Sequence, residues 1–163
     1  MSFLRDANDA LLLFLKSKTS APVRIGWVDQ EFTPPLITIT PVDSYKTDTL
    51  KSGTVTVSGS SANIVDVMAE YALRMQVDVW TKTSAEADDY AGDLIKALEG
   101  EREWATQSEF KILEVAAMKG LSREGKIWRE TFEFVMAVDL TESSTAYLVE
   151  NIDSEISKIN EVM

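Results

Sequence analysis

The sequence predicts an α+β fold: a mixed, mainly antiparallel sheet with helices on one face, a long β-hairpin excursion and a C-terminal helix. Three observations predict it. The run Leu73 to Gly100, LRMQVDVWTKTSAEADDYAGDLIKALEG, reads as a strand feeding directly into an amphipathic helix. Trp128 to Val138 carries the cleanest two-residue period in the chain. Between Val42 and Ser61 the composition turns to Ser, Thr, Lys, Asp and Gly around a small TVTV core, which marks a polar excursion.

From the N-terminus, Ala10, Leu11, Leu13 and Phe14 predict a short helix from about Leu4 to Lys16, capped by Asp6 or Asn8 and packed on the sheet. Val23, Ile25 and Trp27 alternate with Arg24 and Gly26 as a first strand, which the segment Asp29 to Pro35 ends. Leu36, Ile37 and Ile39 form a second strand stopped at Pro41. Prolines cannot donate to a ladder, so Pro35 and Pro41 place that strand at or near an edge. In the excursion, Thr54 to Val57 lies between Gly53 and Gly59 and reads as one arm of an exposed hairpin, with Tyr45 to Leu50 as candidate partner. The competing reading is a surface loop without a partner.

Leu73, Met75, Val77 and Val79 alternate with Arg74, Gln76 and Asp78, as in a half-buried strand that Trp80 closes. Thr83 and Glu86 have capping-box spacing, so the threonine hydroxyl can accept the N–H at the third helical position. Ala87, Tyr90, Ala91, Leu94, Ile95 and Leu98 then recur three and four apart, and Gly100 supplies a helix stop. Phe110 to Met118 follows as a strand and Gly120 to Gly125 as a turn. In the last strand Trp128, Phe132, Phe134, Met136 and Val138 share a face, opposed by Arg129, Thr131, Glu133 and Asp139. Glu130 interrupts the apolar face; a sheet margin or a pairing with an Arg or Lys would accommodate it, and exposure is expected because a buried unpaired carboxylate is costly. Ser143 or Ser144 caps a C-terminal helix whose seam is Leu148, Ile152, Ile156 and Ile159, suited to packing on its own subunit or a neighbour.

The 163 residues, 45% hydrophobic, fit one domain core with an appended helix: 1–142 as the domain and 143–163 as the extension. No apolar run approaches the roughly 20 residues of a membrane span, and DALLLFLKS lacks the basic front and cleavage site of a signal peptide. With no cysteine and no histidine, disulfides, thiolate sites, Ser-His-Asp hydrolysis and most zinc chemistry are excluded by inventory. A net charge of -11 disfavours attraction to nucleic acid phosphate or an anionic bilayer.

The acidic clusters have structural explanations. Asp88, Asp89 and Asp93 fit a solvated helix face, as do Glu99, Glu101 and Glu103 around the helix end. Neither GxGxxG nor GxxxxGK[ST] is present. Trp27, Trp80 and Trp128 lie on or beside strands and are expected in the core or an interface. Trp104, in the charged stretch EREWATQ, is instead a candidate protein-contact anchor. No catalytic, cofactor-binding or metal-binding residue is assigned.

The element order, together with the strand ending in Val79-Trp80 and the helix start Thr83-x-x-Glu86-Ala87, resembles the tail terminator, or tail completion, proteins of long-tailed bacteriophages. The segment GKIWRETFEFVMAVDL, Gly125 to Leu140, looks like that family's final strand, and the resemblance extends over about Leu4 to Leu140. It implies a non-enzymatic virion protein of the tail or neck, assembled in the host cytoplasm as a homo-hexameric ring that ends growth of the tail tube and presents the head-joining surface. The implied partners are further copies of the chain, the tail tube protein and connector or neck proteins, with DNA only passing through the lumen and no membrane. The tail beyond Leu140 departs from the family pattern. Candidate contact residues are Tyr45, Lys46, Leu50, Val55 and Val57 in the excursion, Trp104, and the Leu148, Ile152, Ile156 and Ile159 seam. The alternatives are another neck, connector or sheath-binding completion protein, a small acidic intracellular adaptor domain and, ranked last, an enzyme working with carboxylates, Lys, Ser or Tyr.

Overall fold

The computed structural model of the chain describes residues 3–26, 31–47, 52–116 and 120–147. Among them the elements follow in the order α1 (Phe3–Lys16), β1 (Val23–Ile25), β2 (Leu36–Thr47), β3 (Ser52–Ser58), β4 (Ser61–Thr81), α2 (Ser84–Trp104), β5 (Lys111–Val115), β6 (Gly120–Glu124) and β7 (Ile127–Tyr147). The chain is α+β with a mainly antiparallel sheet, as expected, and divides into two units: Met1–Asp48 with Glu70–Asp139, and Thr49–Ala69 with Leu140–Met163.

In the first unit the strand order is β1-β2-β4-β7-β5, and β6 also pairs with β7. β1 runs parallel to β2, while β2 with β4 and β5 and β6 with β7 are antiparallel. The two-residue period explains the core. Met75, Val77 and Val79 of β4 share one face with Ile37 and Ile39 of β2 and with Phe132, Phe134, Met136 and Val138 of β7. Onto that face α1 lays Ala7, Leu11, Phe14 and Leu15, and α2 lays Ala91, Leu94 and Leu98. Phe132 and Phe134 are fully buried; taking each ring out of water contributes roughly 1.5–3 kcal/mol.

The start of α2 is as expected. Thr83 is its extended N-cap, and its hydroxyl accepts from the Glu86 N–H at 3.2 Å. Its end is not. The helix passes through Gly100, which costs it only about 1 kcal/mol relative to alanine, and stops at Ala105, whose left-handed backbone (φ 46) lets its N–H donate to the Glu101 carbonyl at 2.8 Å. At the N-terminus, α1 begins at Phe3, so Asp6 lies in its first turn and Asn8 inside it, neither acting as the cap. Leu13 faces outward, while Ala7 and Leu15 take its expected place in the core.

Pro41 does not end β2. The strand continues to Thr47 through a register shift between Pro41 and Asp43, and Tyr45 lies opposite Ala72. β1 covers β2 only at Ile37–Ile39, so among the described residues one side of β2 is open beyond that point, and the donor Pro41 lacks is not needed there. The turn expected at Gly120 to Gly125 is a strand, β6, closed on β7 by a two-residue loop with Gly125 at φ 64. Trp27 and Leu50 lie outside the described residues.

In the second unit β3 pairs antiparallel with the first half of β4, from Ser52 opposite Val67 to Ser58 opposite Ser61. The arm Thr54 to Val57 therefore has β4 as its partner rather than Tyr45 to Leu50. Gly59 and Ser60 make the two-residue loop, and the positive φ of Gly59 (61) fits the first central position of a II′ hairpin. Ser143 and Ser144 belong to β7, which runs on to Tyr147, so no helix is capped there. The seam Leu148, Ile152, Ile156 and Ile159 lies outside the described residues.

Candidate functional site

On the sheet face opposite the helices, the first unit builds a polar cluster around Asp78. Thr38, Asp78 and Trp80 occupy positions alternate to the core residues, and β7 presents Arg129 and Thr131 from the neighbouring strand. The buried Asp78 carboxylate accepts hydrogen bonds from Arg129 Nε at 2.8 Å, Thr131 Oγ1 at 2.6 Å and Gln76 Nε2 at 2.9 Å. Arg129 lies over the Trp80 ring, 4.9 Å from its centre, and also reaches Glu124 at 3.3 Å. The hydrogen bond from Arg129 to Asp78 raises the guanidinium pKa further above its ordinary value. Trp80 Nε1 in turn donates to Thr38 Oγ1 at 3.2 Å. Three donors occupy the Asp78 oxygens, so this cluster fastens β2, β4 and β7 together and leaves that carboxylate poorly placed as a base.

Two glutamates expected in water are buried. Glu130 is 3% exposed, and its Oε2 has no hydrogen-bond partner among the described residues. Burial pushes its carboxyl pKa up, and the negative charge of Asp88 on α2 adds to the shift. Glu101 is buried at the end of α2, where its carboxylate accepts from Thr106 Oγ1 at 2.5 Å and from the Gln107 N–H at 2.8 Å. It ties the helix end to the following loop. Asp88, Asp89 and Asp93 are exposed, and among the described residues no group of three His, Cys, Asp or Glu side chains could hold a metal ion. No helix of the described residues is long and apolar enough to cross a membrane.

The expected contact residues that the structure describes lie at the surface. In the first unit, Tyr45 and Lys46 are exposed at successive positions of β2 and so point to opposite sides. Trp104 closes α2 with 73% of its surface exposed. It borders a cleft of ≈ 370 Å³ that Phe14, Lys18, Ala97 and Gly100 also line. In the second unit Val55 and Val57 sit two apart on β3, hence on one face, and are 62% and 59% exposed. Sequence reading missed exposed Leu13 on α1, Met68 on β4 and Tyr147 on β7. An alternating pattern reveals a strand face only when one face is buried, and at Met68 and Tyr147 no such contrast exists.

No protein-family model matches the chain, and no curated protein does. Among solved structures, a chain whose name states no function aligns at 15% identity over 86% of this chain and 97% of its own, with a TM-score of 0.48. A chain from the virion of a native gene transfer agent (GTA) particle aligns at 15% identity over 81% of this chain and 87% of its own, with a TM-score of 0.37.

Proposed function

We propose that this chain is a structural virion protein of the phage head-to-tail junction, acting as a tail terminator: a homo-hexameric ring that ends tube growth and offers the surface on which the head is joined. The observation that carries the reading is the exposed arm of the second unit, where Val55 and Val57 stand on one face of β3 in water. Apolar side chains held in that way on a formed strand suit contact with another protein. The resemblance of Leu73 to Gly100 and Gly125 to Leu140 to the terminator family supplies the kind of assembly. The mechanism is steric: a head-to-tail contact that closes on itself makes a finite ring, and its two faces can meet different partners. A chain of net charge -11 would line such a ring without gripping the DNA that passes through it.

Mass photometry of the purified chain, alone and mixed with tail tube protein, tests this reading, with negative-stain images of tubes made in its presence. Rings of six copies capping tubes of bounded length are expected. A particle that stays single under both conditions favours the adaptor alternative and overturns the ring. Capping at another layer of the neck keeps the assembly role and replaces the terminator assignment.

A further inference from the structure

Among the described residues the second unit is a thin sheet whose outer strands are each paired on one side and whose buried apolar side chains are few. Its described strands are β3, residues 61–69 of β4 and residues 140–147 of β7, in the order β3-β4-β7. Among its described hydrophobic residues only Ala62 and Ala69 are buried, while Val55, Val57, Met68 and Tyr147 are exposed. A small sheet needs an apolar face packed against something to be stable, and two alanines do not supply one.

Among the described residues both outer edges lack a strand partner. On one side, β3 has no partner but β4 among the described residues. Ser58 and Ser61 flank the two-residue loop and exchange both hydrogen bonds, so by alternation Val57 and Val55 are non-bonded positions whose N–H and C=O groups point away from β4. On the other side, the strands paired with β7 beside β4 reach no further than Ala137, leaving residues 140–147 uncovered among the described residues. Proteins that must stay single blunt such edges with charge, proline or bulges. Here β3 carries no charged residue and no proline, and 140–147 carries a single charge, Glu142.

We infer that the open edge of β3 in one copy pairs with residues 140–147 of β7 in the next copy, so that the sheet of this unit continues from subunit to subunit. The occupant is a second copy because each copy offers one edge of each kind, at opposite margins of the same sheet. Such a contact is head-to-tail and can close into a ring. Main-chain hydrogen bonds supply the register, and a neighbour laid against these strands covers Val55, Val57 and Tyr147. The inference rests on the proposed ring and names the surfaces that close it.

The chain contains no cysteine, so introduced pairs report this contact alone. One cysteine replaces Val55 or Thr56 on β3 and another replaces Ser143 or Ser144 on β7, in the full-length protein. Within one copy two strand spacings, about 9.5 Å, separate these positions, beyond the reach of a disulfide. Oxidation is expected to give a ladder of covalent multimers from doubly substituted chains and none from either single substitution. Covalent dimers from the β3 cysteine alone overturn the head-to-tail pairing. Multi-copy particles that yield no ladder from any pair overturn the edge contact and leave the ring standing. Chains that neither assemble nor cross-link, alone or with tube protein, remove both. Val55→Pro deletes an outward N–H while sparing the β3–β4 ladder, so at least a tenfold loss of self-association with an unchanged far-ultraviolet spectrum is expected. Undiminished self-association of the folded variant overturns the inference.

Discussion

Glu130 and Asp78 show how two buried carboxylates differ by their company. Asp78 has three donors, Arg129 among them, whereas Glu130 has an Oε2 without a hydrogen-bond partner among the described residues and an acidic neighbour in Asp88. Removing the Asp78 carboxylate takes from the partly buried Arg129 guanidinium its nearer acid and leaves it the exposed Glu124 at 3.3 Å. Asp78→Ala is therefore expected to cost about 3 kcal/mol, the lower end of the range for breaking a buried pair, measured as a shift of the urea midpoint. Glu130 works in the opposite sense. Its folded pKa is raised, so the native state binds this proton more tightly than the unfolded chain does. Its contribution to stability is thus fully present below the unfolded value of about 4.3 and is lost as pH rises through the raised folded value. Glu130→Gln keeps the shape and removes the ionisation. Its melting temperature is expected to rise relative to the parent as pH goes from 4 to 7; a gap that does not vary with pH would show that Glu130 does not titrate differently in the folded state.

At the scale of elements, helix α2 rests on a cap and a stripe that do separate work. Thr83→Ala removes the acceptor for the Glu86 N–H and is expected to cost about 1 kcal/mol, whereas Leu94→Ala opens a hole under the sheet and is expected to cost about 2–5 kcal/mol. Equal losses in thermal melts would mean that the helix is held by its end rather than by its face. What could be read in advance follows from the same physics. The second half of β4, the middle of β7 and the stripe of α2 were legible because each has one buried face, which imposes a period on the sequence. The first half of β4, β6 and the end of β7 have no fully buried face, so nothing forces Ala62, Ile64 and Asp66 into a contrast with their neighbours, and Ser143 and Ser144 could pass for a helix cap. Pro41 and Gly100 misled for a related reason. Each carries a strong local preference, yet an open strand side tolerates the one, and the Glu99–Arg102 pair at 2.7 Å and the buried Glu101 accompany the helix past the other. Of the candidate contact residues, exposure followed from the polar setting of Val55, Val57 and Trp104, while the partner of the Val55 arm was legible only in the Gly59-Ser60 pair, whose two-residue loop turns β3 back on β4.

For the molecule as a whole, charge and contact surface pull in opposite directions. Each copy carries -11, so bringing copies together costs like-charge repulsion that acts over about a Debye length, ~10 Å at 0.1 M salt. The surfaces proposed to meet, by contrast, are valines, a tyrosine and main-chain edges with almost no charge, whose attraction salt hardly screens. Raising salt from 0.05 to 0.5 M is therefore expected to strengthen self-association, the reverse of what an interface built on opposite charges would do. Sedimentation velocity across that range checks the sign, and weakening with salt would mean that copies meet through paired charges elsewhere on the surface. Trp104 supplies a control at the same scale. At 73% exposure its removal should leave folding stability within about 0.5 kcal/mol, so any loss of tube or neighbour binding by Trp104→Ala reports a contact. If that loss reaches about 2 kcal/mol, the indole is an anchor of an interface. If binding and stability are both unchanged, the cleft beside Phe14 and Ala97 stays in solvent, and assembly depends on the sheet edges and their valines alone.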